Sequence, residues 1–237
     1  MRAPLKFVRA LVLSLLLTVA GAAQEVQLHG LVFEEWVRDE FFAGYRPPSY
    51  TQKWDIPAAV NCAHGGVPVN LKAAKYGTPV DLGDALRQFD IAEPFIFVIG
   101  YWRQEGDAKR FVNILNLRVE QAQWRKLWGA VTRADLEKLD ALIKDRSLDF
   151  YEARERAQAM KHKTPFTQSI IVLNPKIDAK TQRRLQCSLR FEDVFKYIAP
   201  EADLKPQAQP SLWGVTFPDA MVSKPREFSH STNPHSP

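Results

Sequence analysis

Residues 50–72 contain an acid and a lysine whose types and spacing make them the clearest candidates for side chains that carry chemistry. The stretch is typical of two short strands around a polar loop, and Asp55 ends the first strand just before Pro57. In the second strand, alternation places Asn70 and Lys72 on one face, opposite an apolar row that can pack into a core. If the two strands pair as a hairpin, Asp55 approaches both of these residues.

A helix is predicted ahead of this hairpin. Apolar residues recur at helical spacing between positions 28 and 41, and the pattern ends near Gly44. Acids occupy much of the remaining surface, which is usual for a solvated helix face. Gly30 allows close approach at the start of the helix, and Glu34 follows it by one turn, so Glu34 is a further candidate.

The segment after the hairpin is predicted to supply the centre of a sheet. Asp81 is a candidate N-cap for a short helix over residues 81–89. Residues 94–102, PFIFVIGYW, are nearly all apolar, which favours a strand buried on both faces. The next strand is predicted over residues 109–119, joined through the turn at Gly106-Asp107.

The second half of the chain is predicted to be helical and then to end in a strand pair. Helical segments fill residues 121–163, with Thr132 as an N-cap, and we interpret them as an insertion into the domain. Strands follow at residues 168–175 and 183–191, and a short helix stops at Pro200.

Basic residues concentrate on the last predicted strand. Arg183 and Arg184, together with Lys75 in the connection after the hairpin, are candidate contacts to the phosphates of a nucleic acid. A surface edge strand protected by its charges explains the arginines equally well. The net charge of +5 includes three cations before residue 23, so overall basicity does not argue for a nucleic-acid partner.

The N-terminal 22 residues have the three parts of an export signal: a basic start, an apolar run and a small-residue end with cleavage near Ala22 or Ala23. The apolar run is shorter than the roughly 20 residues of a permanent membrane anchor. The alternatives are an uncleaved interfacial helix and an over-extended start of a cytoplasmic protein. We therefore predict an exported chain with one domain over residues 23–199 and a disordered, Pro-rich tail over residues 200–237.

The two cysteines are too few for a disulfide framework, although one bridge between Cys62 and Cys187 stays open. Cys62 and His64 form a Cys-x-His pair with no second ligand pair at usable spacing, which is a weak zinc signal. A free thiol and a loop histidine are the favoured interpretation.

Taken in order, a helix with Glu34, a strand ending at Asp55, a strand with Asn70-x-Lys72, a helix and a buried strand resemble the restriction-endonuclease-like nucleases, the PD-(D/E)XK superfamily. The resemblance covers about residues 28–102. It implies an α/β fold with an αβββαβ core, in which a mixed central sheet has flanking helices, and the predicted C-terminal strand pair adds to this core. It also implies magnesium-dependent cleavage of phosphodiester bonds in DNA.

Carried over by position, the resemblance implies a role for each candidate residue. Asp55 is the central metal ligand, Lys72 orients or activates the attacking water, and Glu34 is the additional acid of the helix. Asn70 stands where the family usually has Asp or Glu, and its amide oxygen can still ligate a metal. The site therefore consists of hard oxygen donors suited to Mg²⁺, with Mn²⁺ as a substitute, and it has one negative charge fewer than the family pattern.

Three functions are compatible with the sequence. The first is an exported, metal-dependent endonuclease that acts on DNA. The second is a protein of the same fold that has lost catalysis and binds nucleic acid or a protein partner. The third is an exported binding module unrelated to nucleic acid. A homodimer is compatible with all three.

Overall fold

The computed structural model describes residues 32–48, 52–106, 108–179, 182–218 and 221–222. The predicted export signal and Gly30 lie outside these residues. Within the described part of the chain, no helix is both long and apolar enough to cross a membrane.

The described chain is a mixed α/β structure whose first half alternates helices and strands. Its first helix, α1, covers residues 32–41. The elements that follow up to residue 119 are β1 (Val69–Lys75), β2 (Val80–Asp84), α2 (Ala85–Phe89), β3 (Phe95–Glu105) and β4 (Ala108–Val119).

The second half contains two helices of 12 residues, a strand pair and several shorter elements. These elements are α3 (Gln121–Lys126), α4 (Arg133–Lys144), α5 (Phe150–Lys161), a 3₁₀ turn (Phe166–Gln168), β5 (Val172–Ile177), β6 (Arg183–Leu189), α6 (Phe191–Asp193), a π turn (Val194–Ile198), β7 (Ser211–Leu212), β8 (Val215–Thr216) and β9 (Met221–Val222). Thr132 caps α4 in a reciprocal capping box with Asp135, so the predicted N-cap is confirmed.

The strands form two main sheets. The first has the order β1-β3-β4-β9 and is mixed, because β1 and β3 are parallel while the other pairs are antiparallel. The second is antiparallel with the order β2-β6-β5. The predicted C-terminal strand pair is therefore confirmed, but β6 lies at the centre of its sheet and not at an edge.

Side chains of β1 and β3 alternate between two hydrophobic clusters. Phe33 and Val37 of α1 pack with Val69 and Leu71 of β1 in a cluster that we call the α1 cluster. On the opposite side of the sheet, a larger cluster contains Phe95, Phe97, Ile99 and Tyr101 of β3 together with the helices of the second half. The buried central strand is therefore as predicted, with apolar residues on both faces.

Gly100 allows α1 to lie close to the sheet. A Cβ atom at Gly100 would lie 2.6 Å from the ring of Phe111 and 2.7 Å from the ring of Phe33. These two rings stack at a centroid distance of 4.9 Å. The missing side chain at Gly100 thus makes room for the ring contact that holds α1 above β3.

Two predicted elements before β3 differ from the structure. Among residues 52–56, the described part of the strand expected to end at Asp55, the only strand pairing is an isolated antiparallel bridge between Ile56 and Val69. Asp81 lies in β2 and does not cap a helix, because a bulge and a positive φ of 84° at Gly83 intervene. The N-cap of α2 is Asp84, whose side chain accepts a hydrogen bond from the Arg87 backbone N–H at 2.8 Å.

The expectation of an unpacked tail after residue 200 is wrong for residues 203–217. Leu212 and Phe217 are 1% and 5% exposed and belong to the α1 cluster. The Asn113 side chain donates to the carbonyl of Asp203 at 2.9 Å, and the Gln207 backbone N–H donates to the carbonyl of Val112 at 2.6 Å. A few well-placed apolar residues and backbone bonds thus order a segment whose average composition is polar and Pro-rich.

Candidate functional site

Asp55 lies where the pairing with β1 stops. Ile56 and Val69 exchange two backbone hydrogen bonds, of 3.2 and 2.8 Å. In a continued antiparallel ladder, the N–H of Leu71 would next donate to the carbonyl of Trp54. It donates instead to Oδ2 of Asp55 at 2.7 Å, so the carboxylate replaces the ladder and lies against β1 between Asn70 and Lys72.

Glu34 reaches the same region from α1. The Nη2 atom of Arg38, which lies one turn later and is nearly buried, donates to Oε2 of Glu34 at 2.9 Å. Burial raises the pKa of Glu34, the negative charge of Asp55 raises it further, and the positive charges of Arg38 and Lys72 partly oppose the shift. Glu34 is therefore close enough to Asp55 and to Lys72 for their charges to interact with it.

Asn70 is buried on the same face of β1 as Lys72. It is 4% exposed, and its Oδ1 atom has no hydrogen-bond partner among the residues that the structure describes. A buried carbonyl oxygen without a donor is unfavourable, and a bound cation would satisfy it. The unpaired amide oxygen is open to a ligand, but Asn70 lies on the face of β1 opposite Leu71 and α1, so its place in the ligand set stays a prediction.

The oxygen donors fit a hard cation such as Mg²⁺. Arg38 donates to one carboxylate oxygen of Glu34, and the Leu71 N–H donates to one carboxylate oxygen of Asp55. Within the described residues, the second oxygen of each carboxylate accepts no further hydrogen bond. No group of three His, Cys, Asp or Glu side chains that could hold a metal occurs in that part of the chain. A cation here would therefore need the Asn70 oxygen or water molecules to complete its shell, and Mg²⁺ commonly retains waters.

Lys72 is half-buried and lies between two groups of charges. Its charge lowers the pKa of Glu34 on one side, and it also counteracts the raised pKa of the buried Cys187 thiol. Burial is the main cause of that raised thiol pKa, and Asp81 and Asp84 contribute to it. The charge of Lys72 thus acts on Glu34 on one side and on the Cys187 thiol on the other.

The predicted phosphate contacts have different surroundings. Arg183 is occupied, because its guanidinium donates to the carbonyls of Ile143, Asp145 and Leu148 at 3.2, 3.1 and 3.0 Å and so closes the C-terminal end of α4. Fewer donors of Arg183 are therefore available to a phosphate, and its contact with nucleic acid stays a prediction. Arg184 and Lys75 are exposed on β6 and β1, and their contact with nucleic acid stays a prediction.

Arg38 is a site residue that was not predicted from the sequence. The sequence does contain a signal for this ion pair, because Glu34 and Arg38 have the i,i+4 spacing of oppositely charged neighbours on a helix.

Cys62 and Cys187 are both free thiols, the first exposed and the second buried. His64 stacks on Trp213, which agrees with the interpretation of a loop histidine.

The raised pKa of Glu34 predicts a pH dependence of stability. In the metal-free protein the folded state retains a proton on Glu34 above pH 4.5, where an unfolded chain begins to lose it. The contribution of Glu34 to the free energy of unfolding is therefore fully present below about pH 4.5 and lost as the pH rises through the raised pKa. Urea unfolding in EDTA should show that the stability of wild type relative to Glu34→Gln falls over this range.

Glu40→Gln, which changes an exposed glutamate of the same helix, is the matched control. A stability difference between wild type and Glu34→Gln that stays constant, or that grows as the pH rises, would contradict the assigned environment of Glu34.

Comparisons of this chain with protein-family models, with curated proteins and with solved structures found no match.

Proposed function

We propose that the protein is an exported, metal-dependent endonuclease that hydrolyses phosphodiester bonds in DNA. The observation that carries the proposal is the hydrogen bond from the Leu71 N–H to Asp55 Oδ2, because it seats a carboxylate beside Asn70 and Lys72. The order of α1, the Ile56 bridge, β1, β2, α2 and β3 is similar to the αβββαβ order that the resemblance implies, with the bridge in the place of the first strand, although β2 pairs with β6 in the second sheet.

Each side chain of the candidate site would have its own role in this hydrolysis. Glu34, Asp55 and Asn70 would hold a divalent ion, which when bound neutralises developing charge and lowers the pKa of water. Arg38 holds Glu34 in position through Oε2. Lys72 carries a positive charge that can stabilise the reacting phosphate or hold the attacking water.

A second candidate is a nuclease-fold protein that binds nucleic acid without cutting it. The specific observation in its favour is Asn70, because an amide at this position leaves the site with two carboxylates and an ion pair from Arg38 to one of them. Fewer negative charges bind a divalent ion less tightly. The two candidates differ in whether the metal-loaded protein turns over.

A cleavage assay separates these candidates. The purified protein is incubated with supercoiled plasmid and with single-stranded DNA in Mg²⁺, Mn²⁺ or EDTA, and nicked or shortened products are expected with either metal and not in EDTA. Lys72→Ala should remove the activity, whereas Lys176→Ala, a change of an exposed lysine on β5, should not. Binding of DNA without cleavage in any metal would favour the inactive protein, and neither binding nor cleavage would refute both.

Asn70→Asp should increase the affinity for Mg²⁺. The change is nearly isosteric and adds a hard anionic ligand at the unpaired Oδ1 position, so we expect a gain of about tenfold, equivalent to about 1.4 kcal/mol. Calorimetric titration measures the gain, which should vanish when Asp55→Ala is added. Asn116→Asp, at an exposed position of β4, is the matched control. An Asn70→Asp variant that binds no better than wild type would remove Asn70 from the ligand set.

A further inference from the structure

A hairpin near the C-terminus carries a tryptophan in an unfavourable backbone conformation. Strands β7 and β8 are joined by Trp213 and Gly214, whose φ angles are 48° and 85°. A two-residue turn with both φ values positive is a type I′ turn, which strongly prefers Asn-Gly. A bulky residue with a positive φ is a genuine outlier, and such outliers concentrate at functional sites.

The Trp213 side chain belongs to a set of four rings that we call the aromatic platform. Its ring lies parallel to that of His64, with centroids 3.8 Å apart and an interplanar angle of 14°. Phe41 and Phe42 meet Trp213 edge-on at 76° and 83° and hold its orientation. Trp213 and His64 are both partly exposed, so the stack reaches the surface.

The hairpin has two buried anchors besides the tryptophan of its turn. Leu212 and Phe217, on either side of the turn, are already buried in the α1 cluster and attach the hairpin to the domain. Asparagine would suit the turn better, and it would leave these two anchors in place. The Trp213 ring also packs partly against this cluster, and the part that stays exposed is presented at the surface by the strained turn.

Three of the four platform rings lie on the two segments that carry the candidate site. Phe41 follows Glu34 by seven residues on α1, which is about 10 Å along a helix axis. His64 is in the loop between Asp55 and Asn70. Stacked nucleotides advance about 3.4 Å each, so about three would span the distance along the helix.

A cation accompanies the platform. The Nη1 atom of Arg118 lies 3.7 Å from the position that a Cβ atom of Gly65 would occupy, in the loop that carries His64. Arg118 is 52% exposed and pairs through Nε with Glu120 at 2.9 Å. An aromatic face with a guanidinium beside it is the combination that binds a nucleotide by its base and its phosphate.

We propose that the aromatic platform stacks an unpaired nucleobase of a single-stranded nucleic acid, about three nucleotides from the phosphodiester bond at the candidate site. The proposal rests on the proposed nuclease function and specifies its substrate as a strand with accessible bases. Stacking on an aromatic ring is largely independent of base identity, and the bases of a duplex are already stacked on one another. The platform therefore selects single strands without reading their sequence.

The test compares binding by the full chain with Trp213 and without it. The Asp55→Asn background prevents cleavage, and fluorescence anisotropy measures the Kd for labelled twelve-nucleotide oligo-dT and oligo-U. Trp213→Asn creates the preferred Asn-Gly turn, so it should retain the hairpin while weakening binding by about tenfold, within the range of one base–aromatic stack. Tyr151→Ala, which removes a 70% exposed ring from α5, is the matched control and should leave the Kd unchanged.

Oligonucleotides with one abasic position test the stack without altering the protein. An abasic residue scanned along the strand should weaken binding to the Trp213-containing protein at one position and cause no further loss in Trp213→Asn. An unchanged Kd in Trp213→Asn, or an abasic scan without such a position, would overturn the proposal. Weakening of oligo-dT alone or oligo-U alone would assign the strand as DNA or RNA. If wild type binds through the platform but does not cleave, the nuclease function is refuted and the stacking proposal stands. If wild type cleaves and Trp213→Asn has no effect on binding, the stacking proposal is refuted and the nuclease function stands.

Discussion

Asp55→Asn is expected to reduce metal-dependent cleavage by roughly a hundredfold or more while the protein stays folded. The amide oxygen of asparagine can still accept the Leu71 N–H, which Asp55 Oδ2 now accepts at 2.7 Å. The variant therefore retains the bond that ends the pairing with β1 and removes only the charge. Because the charge of Asp55 raises the pKa of Glu34, the metal-free variant should unfold at a temperature equal to or above that of wild type. Initial rates on plasmid DNA and a melting curve measure both effects.

Asp81→Asn is the matched control for this substitution. Asp81 is an exposed aspartate whose Oδ1 accepts the backbone N–H of Gly83 at 2.9 Å, so the same change removes a charge from a similar backbone contact in β2. Its cleavage rate should equal that of wild type. If Asp55→Asn cuts DNA at the wild-type rate, Asp55 serves only to end a strand, and the proposed metal site is lost with it.

The parts of the site that depend on local periodicity could be predicted from the sequence. Alternation with period two correctly separated Asn70 and Lys72 from Leu71, which packs in the α1 cluster. The run of apolar residues before Trp102 correctly indicated a strand that is buried on both faces. Both features follow from the direction of successive side chains, which needs no knowledge of distant contacts.

The predictions that failed involve side chains that bond to a backbone. A strand was expected before Asp55, but the Asp55 carboxylate takes the donor that this strand would have used. A helix cap was expected at Asp81, but Gly83 and Asp84 move the start of α2 by one turn. A pattern of residue types does not indicate which of two nearby carboxylates meets a free N–H group.

Charge in the sequence was a poor guide to exposure. Arg183 reads as a surface cation, yet its guanidinium binds three carbonyls near the C-terminal end of α4, about 40 residues earlier in the chain. The acids of α1 are typical of a solvated helix face, yet Glu34 forms a largely buried ion pair with Arg38. Both outcomes depend on where a distant segment packs, and this information is absent from any local window.

The C-terminal segment after residue 200 shows that local composition is also a poor guide to the burial of hydrophobic residues. Pro-rich and polar composition predicts a segment that cannot offset the entropy of ordering. Leu212 and Phe217 overcome this because the rings of Phe33, Trp36 and Phe111 already form a partner surface, with centroid distances to Phe217 of 6.0, 4.6 and 4.6 Å. Phe33 and Trp36 flank Glu34 in α1, so the C-terminal segment also supports the candidate site.

Ending the chain at Pro200 should therefore strongly destabilise the protein. The truncation removes the buried side chains of Leu212 and Phe217, and the loss of their burial amounts to about 3–6 kcal/mol. It also leaves the Asn113 amide and the Val112 carbonyl without their partners in residues 203–207. Since the free energy of unfolding of a typical domain is about 5–15 kcal/mol, a large fall in Tm is expected.

A chain ending at Val222 keeps all the described residues and is the reference for this truncation. The point variant Phe217→Ala should reproduce much of the effect, at about 3–5 kcal/mol, whereas Thr216→Ala at the exposed neighbouring position should change stability little. Because Phe217 packs against Trp36, its loss should also loosen α1 and lower metal-dependent cleavage below the melting temperature of the variant. Melting curves that coincide for the chains ending at Pro200 and Val222 would show that this segment contributes nothing to the fold, and the support that it gives to Glu34 would fail with it.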